Sequence, residues 1–459
     1  MRFQDNLLLL TDSYKISHWR QYPSGTERVY SYFESRGGRF NEVVFFGLQY
    51  VLRRYLEGAV VTREGIDQAS RIWASHFDSP DLFYRDGFEH ILEQHAGRLP
   101  VVIRAVPEGT PVPTGNVLLT IENTDPACYW LPNFLETLLV QVWYGCTVAT
   151  LSREMKRLLS RYLEATGDPE SLPFKLHDFG FRGVSSVESA AIGGAAHLVN
   201  FQGTDTMPGC LLAREYYDAE MPGGSIPAAE HSTITSWGRE SEVEAFRNIL
   251  EQFPRGAVAC VSDSFDIFHA CREHWGRTLR DQVLARDGTL VVRPDSGHPP
   301  EVVVQVLETL GEAFGTESNP KGYRVLPPQI RVIQGDGIDY EMASEILAAV
   351  TAAKWSVDNL TFGMGGALLQ ILNRDTQQFA MKCSETVVNG EVREVFKEPA
   401  TDPRKNSKRG RLKLVLGRDG QPETRPEGAP GEDLLCEVFR DGFNRERIDF
   451  EAVRRNSAI

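Results

Sequence analysis

Through the middle of the chain one pattern of apolar and polar positions repeats. A short β-branched run ends on a cluster of Gly, Asp, Arg or Ser, and a stretch of helical period follows. "GAVACVSDSFD" predicts a strand ending at Asp263 and a helix through "IFHACREHWGRTLRDQVLA", and "GTLVVRPDSGHPP" a strand ending at Arg293 and Asp295 before "EVVVQVLETLGEAF". "QIRVIQGDGID" ends at Gly335 and Asp336 before "YEMASEILAAVTAAKW", and "DNLTFGMGGALLQIL" runs a strand into a glycine-rich helix start. "KLHDFGFRG" and "HLVNFQGTDT" read as earlier strands of the same series. Strands alternating with helices pair in parallel through crossovers. Units of roughly thirty to forty residues suit a (β/α) barrel or a doubly wound sheet, and the series favours a barrel. In either, ligands sit at the carboxyl ends of the strands, which is where the polar clusters lie.

The flanks have another rhythm. Residues 1–165 mix strand-like runs ("RVYSYFES", "LPVVIRAVPEGTPVPTGNVLLTIEN") with helical ones ("FGLQYVLRRYLEG", "WLPNFLETLLVQVWYG"), and "NLLLL" near the start reads as a buried strand. Residues 376–459 add the strand-like "EVREVF" and "RLKLVL". The expectation is an α/β protein with an irregular barrel over 166–375 and a discontinuous α+β domain completed by both flanks.

Composition narrows the functions. Apolar residues make up 41% and charged residues 24%, the balance of a globular protein. A formal charge of −14 argues against nucleic acid or an anionic membrane as a partner of the whole surface, so any anion site is local. The seven cysteines are scattered and form no C-x-x-C pair, which predicts reduced thiols and a cytoplasmic protein. The N-terminal apolar run is too short for a signal or a membrane span.

Walker, strand-linked G-x-G-x-x-G, H-E-x-x-H and G-x-S-x-G motifs are all absent. In "FGMGGALL", Gly363, Gly365 and Gly366 stand between a strand and a helix, where free N–H groups can hold a phosphate, or where glycine merely permits close packing. Arg374 follows two turns later and could add a charge-assisted bond. Arg293 and Asp295 suit a diphosphate oxygen and a ribose hydroxyl or hydrated Mg²⁺, or else belong to a plain Asp-Ser-Gly turn. Asp336 offers a second carboxylate, and Gly335 a close backbone approach. The tract "FKEPATDPRKNSKRGRLKL" reads as a solvated loop or as a lid bringing cations over a polyphosphate. Phe179, Arg182 and Asp205 at strand ends could hold a flat polar ring, although Phe179 taken alone is more often a core residue. His231, in "SIPAAEHSTITSW", has no second histidine or cysteine nearby to share a metal, so it is a base, a nucleophile or a hydrogen-bonded structural group.

The blocks "TDSYKISHWRQYP", "VYSYFESR", "ENTDPACYWLPNFLETLLVQ", "KLHDFGFRGVSS", "HLVNFQGTDT", "IPAAEHSTITSWG", "VSDSFDIF", "VRPDSG", "RVIQGDG" and "GRLKL" occur in order along nearly the whole chain. In these the sequence closely resembles the nicotinamide phosphoribosyltransferases, which have the type II phosphoribosyltransferase fold. The resemblance implies synthesis of nicotinamide mononucleotide and pyrophosphate from nicotinamide and phosphoribosyl pyrophosphate, with Mg²⁺ and with coupled hydrolysis of ATP as co-substrate. It implies that His231 is phosphorylated by ATP, with Glu230 and Asp263 as neighbours that orient it. It implies a homodimer with shared sites, nicotinamide lying between Phe179 and the Tyr14 of a second subunit, Asp205 accepting the amide N–H and Arg182 near the amide oxygen. Arg293, Asp295, Gly335 and Asp336 then match the diphosphate and ribose contacts, Gly365, Gly366 and Arg374 the 5′-phosphate cradle, and Arg36, Lys397 and Lys405 the cations around the phosphates. No metal is held by a dedicated protein cluster, since Mg²⁺ is held mainly by phosphates and water. A short loop after "SYFESRGG" and Phe181 in place of a tyrosine depart from the family pattern. The alternative within the fold is a nicotinate phosphoribosyltransferase, which the Asp205 carboxylate disfavours.

Overall fold

The computed structural model describes residues 5–401 and 406–459. They fall into two compact units. One draws on the chain up to Thr150, on Glu215–Ala219 and on the chain from Asn373 to Ala458; the other comprises Leu151–Arg214 and Glu220–Leu372.

The first unit is built on a seven-stranded sheet, antiparallel throughout, in the order Glu391–Glu394, Phe379–Val388, Thr26–Ser35, Val117–Asn123, Val101–Ala105, Cys436–Arg440, Phe443–Asn444. One of its inner strands, "TERVYSYFES", is rich in the aromatic and β-branched residues that suit a pleated buried surface. Phe33 sits opposite both Met381 and Leu119, so residues more than 300 positions apart in sequence share one core layer. This is the α+β assembly of both flanks in one sheet. Helix Arg63–Phe77 starts where the Thr62 hydroxyl accepts from the Gly65 N–H, and it ends at Asp78 in the left-handed region. Between these caps it buries Ile66, Ala69 and Trp73 on one face, at the spacing of three to four that a helix requires. "NLLLL" is not a strand. Asn6 caps a 3-10 turn, Leu7–Leu9, which buries Leu7 and Leu8 without needing a partner strand.

Helices Leu131–Val140 and Val142–Thr166 make a stretch long and apolar enough to cross a membrane, but 67% of its most apolar window is buried inside the protein. It is read as core.

The second unit holds a six-stranded, wholly parallel sheet in the order Gly203–Thr204, Leu176–Asp178, Leu360–Met364, Ile330–Gln334, Leu290–Arg293, Val258–Val261. An extended segment bridges Gly203 through Gly224 and Ala259 through Ala228, linking the two edge strands and curling the sheet into an irregular barrel. Its strands are near-continuous apolar runs because both faces are covered. Helix Pro299–Phe314 has prolines in its first turn and buries Val303, Val306, Leu307, Leu310 and Phe314, the pattern of a crossover helix on a sheet. The helix expected through "GGALLQIL" is a single turn, Gly366–Leu369.

One buried group makes this unit acid-sensitive. His197 is fully enclosed, with Ser152 Oγ 3.0 Å from Nδ1 and Gly203 O 3.2 Å from Nε2. Burial holds its imidazole neutral down to about 3. The unfolded chain takes up that proton below its ordinary value of about 6.5 and the folded chain does not. Stability therefore falls as pH drops from about 6.5 towards 3, by up to ~1.4 kcal/mol per pH unit. The Tm lost between pH 7 and pH 5, followed by circular dichroism, is expected to be smaller in His197→Gln than in the natural protein. Equal losses would show that another group sets the acid limit.

Candidate functional site

Because the six strands are parallel, their carboxyl ends open on one side of the barrel, and the polar clusters converge there. A cavity of about 910 Å³ lies at this end, lined by Phe179, Arg182, Asp205, Ser225, Arg293, Asp295, Gly335, Asp336, Gly365 and Gly366 among others. Its floor is apolar: Ala259, Val291 and Ile333 are buried, with Phe179 and Ile226 packed against them.

Phe179 follows strand Leu176–Asp178, and its N–H donates to Met364 O at 2.9 Å. The ring lies across two glycines. A Cβ on Gly363 would come within 2.0 Å of Phe179 Cε2, and one on Gly335 within 3.2 Å. Those two glycines thus give room to the aromatic ring, whereas Gly365 and Gly366 would carry a Cβ without close contact and leave their backbone open to the cavity.

Asp205 stands at the next strand end, its N–H bonded to Asp178 O at 2.9 Å and its Oδ1 accepting from the Ser225 hydroxyl. Beneath it, burial pushes the Asp178 carboxyl up to about 6, against a hydrogen bond from the Gly180 N–H that pulls it down. Burial likewise lowers His177, whose ring fills the space a side chain on Gly203 would need. Arg182 is exposed in the 3-10 turn Phe181–Gly183.

His231 opens the short helix His231–Thr235. Its Nε2 lies 3.1 Å from Asp263 Oδ1, and Ser296 Oγ donates to Asp263 Oδ2 at 2.6 Å. Glu230 does not orient the ring: its carboxylate accepts from the Ser232 hydroxyl. On the other side of the ring, Nδ1 faces Asp295 Oδ2 at 4.0 Å. Burial raises the Asp295 carboxyl, Asp263 and Asp336 raise it further, and Arg293 and His231 oppose them. Arg293 Nη2 is 3.6 Å from Asp295 Oδ2, and its Nε is buried without a hydrogen bond. Arg293, Asp295 and Asp336 line the cavity, and His231 stands beside them through the 4.0 Å approach of its Nδ1 to Asp295, with Asp263 on its other nitrogen.

The remaining candidates belong to the first unit. Tyr14 is 58% exposed in the 3-10 helix Ser13–Arg20, edge-on to His18. Arg36 Nε is 3.1 Å from Glu34 Oε1, which also faces the Lys408 ammonium through its carboxylate partner oxygen. Arg374 opens the turn Arg374–Thr376, and the Lys397 backbone bonds to Ser407. Lys405 lies outside the described residues. Ser225, Ile226, Ala228, His177 and Ser296 were not singled out in the sequence. His177 lies within strand Leu176–Asp178, and the others lie in an irregular segment or in a "PDSG" that reads equally well as a turn.

The family models agree with this architecture. The nicotinate phosphoribosyltransferase (NAPRTase) family matches residues 174–443, and the nicotinamide phosphoribosyltransferase N-terminal domain matches residues 6–103. The chain belongs to the nicotinate phosphoribosyltransferase family, a class of pentosyltransferases with the type II phosphoribosyltransferase fold. Within it, a protein of Xanthomonas campestris pv. campestris named nicotinamide phosphoribosyltransferase is 52% identical over 100% of this chain and 99% of its own. One of the same name from Acinetobacter baylyi is 36% identical over 100% and 98%. Among solved structures, nicotinate-nucleotide pyrophosphorylase from Pyrococcus furiosus superposes with a TM-score of 0.63 at 16% identity, covering 100% of this chain and 95% of that one, a likeness of fold.

Proposed function

We propose that this chain is a nicotinamide phosphoribosyltransferase of NAD salvage. It joins nicotinamide to the ribosyl carbon of phosphoribosyl pyrophosphate and is driven by ATP through phosphorylation of His231. The observation that carries the choice of pyridine is the Asp205 carboxylate, tethered by Ser225 in the same cavity as the Phe179 ring. A carboxylate accepts an amide N–H and repels a carboxylate substrate. The relatives named above carry the same substrate in their names.

In the reaction the pyridine nitrogen lone pair forms the bond to C1′ as the C1′–O bond breaks and its electrons leave on pyrophosphate. The product ring is cationic, and the face of Phe179 attracts that charge. The Arg293 guanidinium answers the charge growing on pyrophosphate. Asp295 and Asp336, which line the cavity, would offer hard oxygen donors to a hydrated Mg²⁺. Bound there, the ion would supply charge neutralisation for the pyrophosphate leaving group. Gly365 and Gly366 offer backbone N–H groups to the 5′-phosphate. Arg182 is assigned to the amide side, Tyr14 of a second subunit to the nicotinamide ring, Arg374 to the 5′-phosphate, and Arg36, Lys397 and Lys405 to the pyrophosphate or nucleotide phosphates, by likeness to the family alone. The homodimer rests on the same likeness and on apolar Val187, Met207 and Leu211, each more than half exposed. The cytoplasmic placement rests on seven free thiols.

Mononucleotide formation from each pyridine, with and without ATP, tests the reading on a preparation whose dimer is checked by sedimentation. Nicotinamide is expected to exceed nicotinate in kcat/KM by about 10-fold or more, the worth of one charge-assisted hydrogen bond. Equal or reversed preference would make the chain a nicotinate enzyme.

A further inference from the structure

In the first unit, three side chains from two elements, none of them used above, aim at one point. His90 lies in helix Arg85–Gln94, and His95 is the residue that ends it. Asp125 follows strand Val117–Asn123 and caps the 3-10 turn Pro126–Cys128, its Oδ1 accepting from the Ala127 N–H at 2.9 Å. The backbone of the same aspartate is fixed by Asn123, whose Nδ2 donates to Asp125 O at 2.8 Å. With Oδ1 engaged, Oδ2 receives both imidazoles: His90 Nε2 stands at 2.7 Å and His95 Nε2 at 2.6 Å. The two ring centroids are 5.7 Å apart, and the three donor atoms all lie within 4.8 Å of one another.

We propose that His90, His95 and Asp125 bind one divalent ion of the zinc class. The inference is independent of the enzymatic assignment. Two imidazole nitrogens and one carboxylate oxygen form the mixed N/O set that Zn²⁺, Co²⁺ and Ni²⁺ favour over Mg²⁺ or Ca²⁺. Bonds of about 2.0–2.2 Å in tetrahedral array place neighbouring donors about 3.3 Å apart. Each N···O gap must therefore open by roughly 0.6–0.7 Å, a side-chain adjustment that leaves the backbone where it is. The side chains are 35%, 27% and 21% exposed, so an ion can enter and water can complete its coordination. Each neutral imidazole moves its proton from Nε2 to Nδ1 and gives the Nε2 lone pair to the ion. The bound ion ties the end of helix Arg85–Gln94 to the turn after strand Val117–Asn123. Its role is that of a clamp within the first unit.

The test uses the full-length protein, stripped with chelator and desalted, with Mg²⁺ in excess to fill carboxylate sites. Zn²⁺ alone is titrated against a chromophoric chelator, and Co²⁺ alone is followed by its visible absorption. One ion per chain is expected, with a Co²⁺ spectrum of nitrogen and oxygen ligands free of thiolate charge transfer. His90→Ala and His95→Ala are each expected to weaken binding by more than the ~10–100-fold that loss of an outer partner costs at metal sites. Zn²⁺ should raise the Tm of the natural protein and leave that of the double variant unmoved, with circular dichroism confirming that the variant is folded. A double variant that binds Zn²⁺ as the natural protein does would overturn the proposal. So would a natural protein that takes up no Co²⁺ at one equivalent, a result that needs no variant.

Discussion

Substituting His231 by alanine is expected to cut ATP hydrolysis by at least ~10²-fold and to abolish the mass increase of one phosphate on incubation with ATP, while the chain stays folded. The side chain is 46% exposed, so the effect should be chemical. Asp263, whose own side chain is 5% exposed and is held by Ser296, engages Nε2. Nδ1 is then the nitrogen left to act. On the proposed reading its lone pair would form the N–P bond to the γ-phosphorus as the bond to the ADP oxygen breaks, and Asp263 would offset the positive charge that the ring acquires. The new phosphate would stand near Asp295 Oδ2, now 4.0 Å from Nδ1, and two anions at that range repel. Phosphorylation should accordingly demand Mg²⁺, and the phosphate should map to Nδ1 by nitrogen NMR. Asp263→Asn keeps a hydrogen-bonding group but not the charge, and should lose a large part of the same activity. Normal ATP hydrolysis by His231→Ala would remove the phosphohistidine from the reaction.

That ring also shows where sequence reading stops. The residues at the strand ends were legible because a parallel strand is a recognisable apolar run and its last polar positions must face the open end of the barrel. Asp205, Arg293, Asp295 and Asp336 were found in this way, and all four line one cavity. The choice between Glu230 and Asp263 was not legible, since adjacency in the chain says little about direction. Glu230 is bonded to His231 covalently through the backbone, yet it turns to Ser232. Asp263, 32 residues on, arrives by the crossing of strand Val258–Val261. The glycines divided similarly. A strand-end glycine is compatible with a phosphate or with a neighbouring ring, and only the packing of Phe179 assigns Gly363 and Gly335 to the latter role. The segment that closes the barrel, Gly224 to Ala228, makes only isolated bridges and has no periodicity to read. Four leucines in a row carried no register at all, and a single capping asparagine decided for a 3-10 turn.

Asp205→Asn is expected to collapse the discrimination between pyridines. In the natural protein the Ser225 hydroxyl occupies Oδ1, which leaves Oδ2 for an amide N–H. A hydrogen bond to a charged acceptor contributes about 1.5–3 kcal/mol, or roughly 10–150-fold in kcat/KM. The same charge acts on nicotinate with the opposite sign, because two carboxylates at hydrogen-bond range have no proton to share near neutral pH. Asparagine is nearly isosteric and keeps an oxygen acceptor, so the cavity is unchanged in shape while the field is removed. The nicotinamide KM should rise, nicotinate should become a measurable substrate, and the ratio of their kcat/KM values should narrow by about 10–100-fold. Phosphorylation of His231 by ATP, measured on the same preparation, should stay at the natural level, since Asp205 follows strand Gly203–Thr204 whereas His231 opens the separate helix His231–Thr235. If the ratio stays fixed in Asp205→Asn, specificity is set elsewhere in the cavity, and Arg182 is the next residue to exchange.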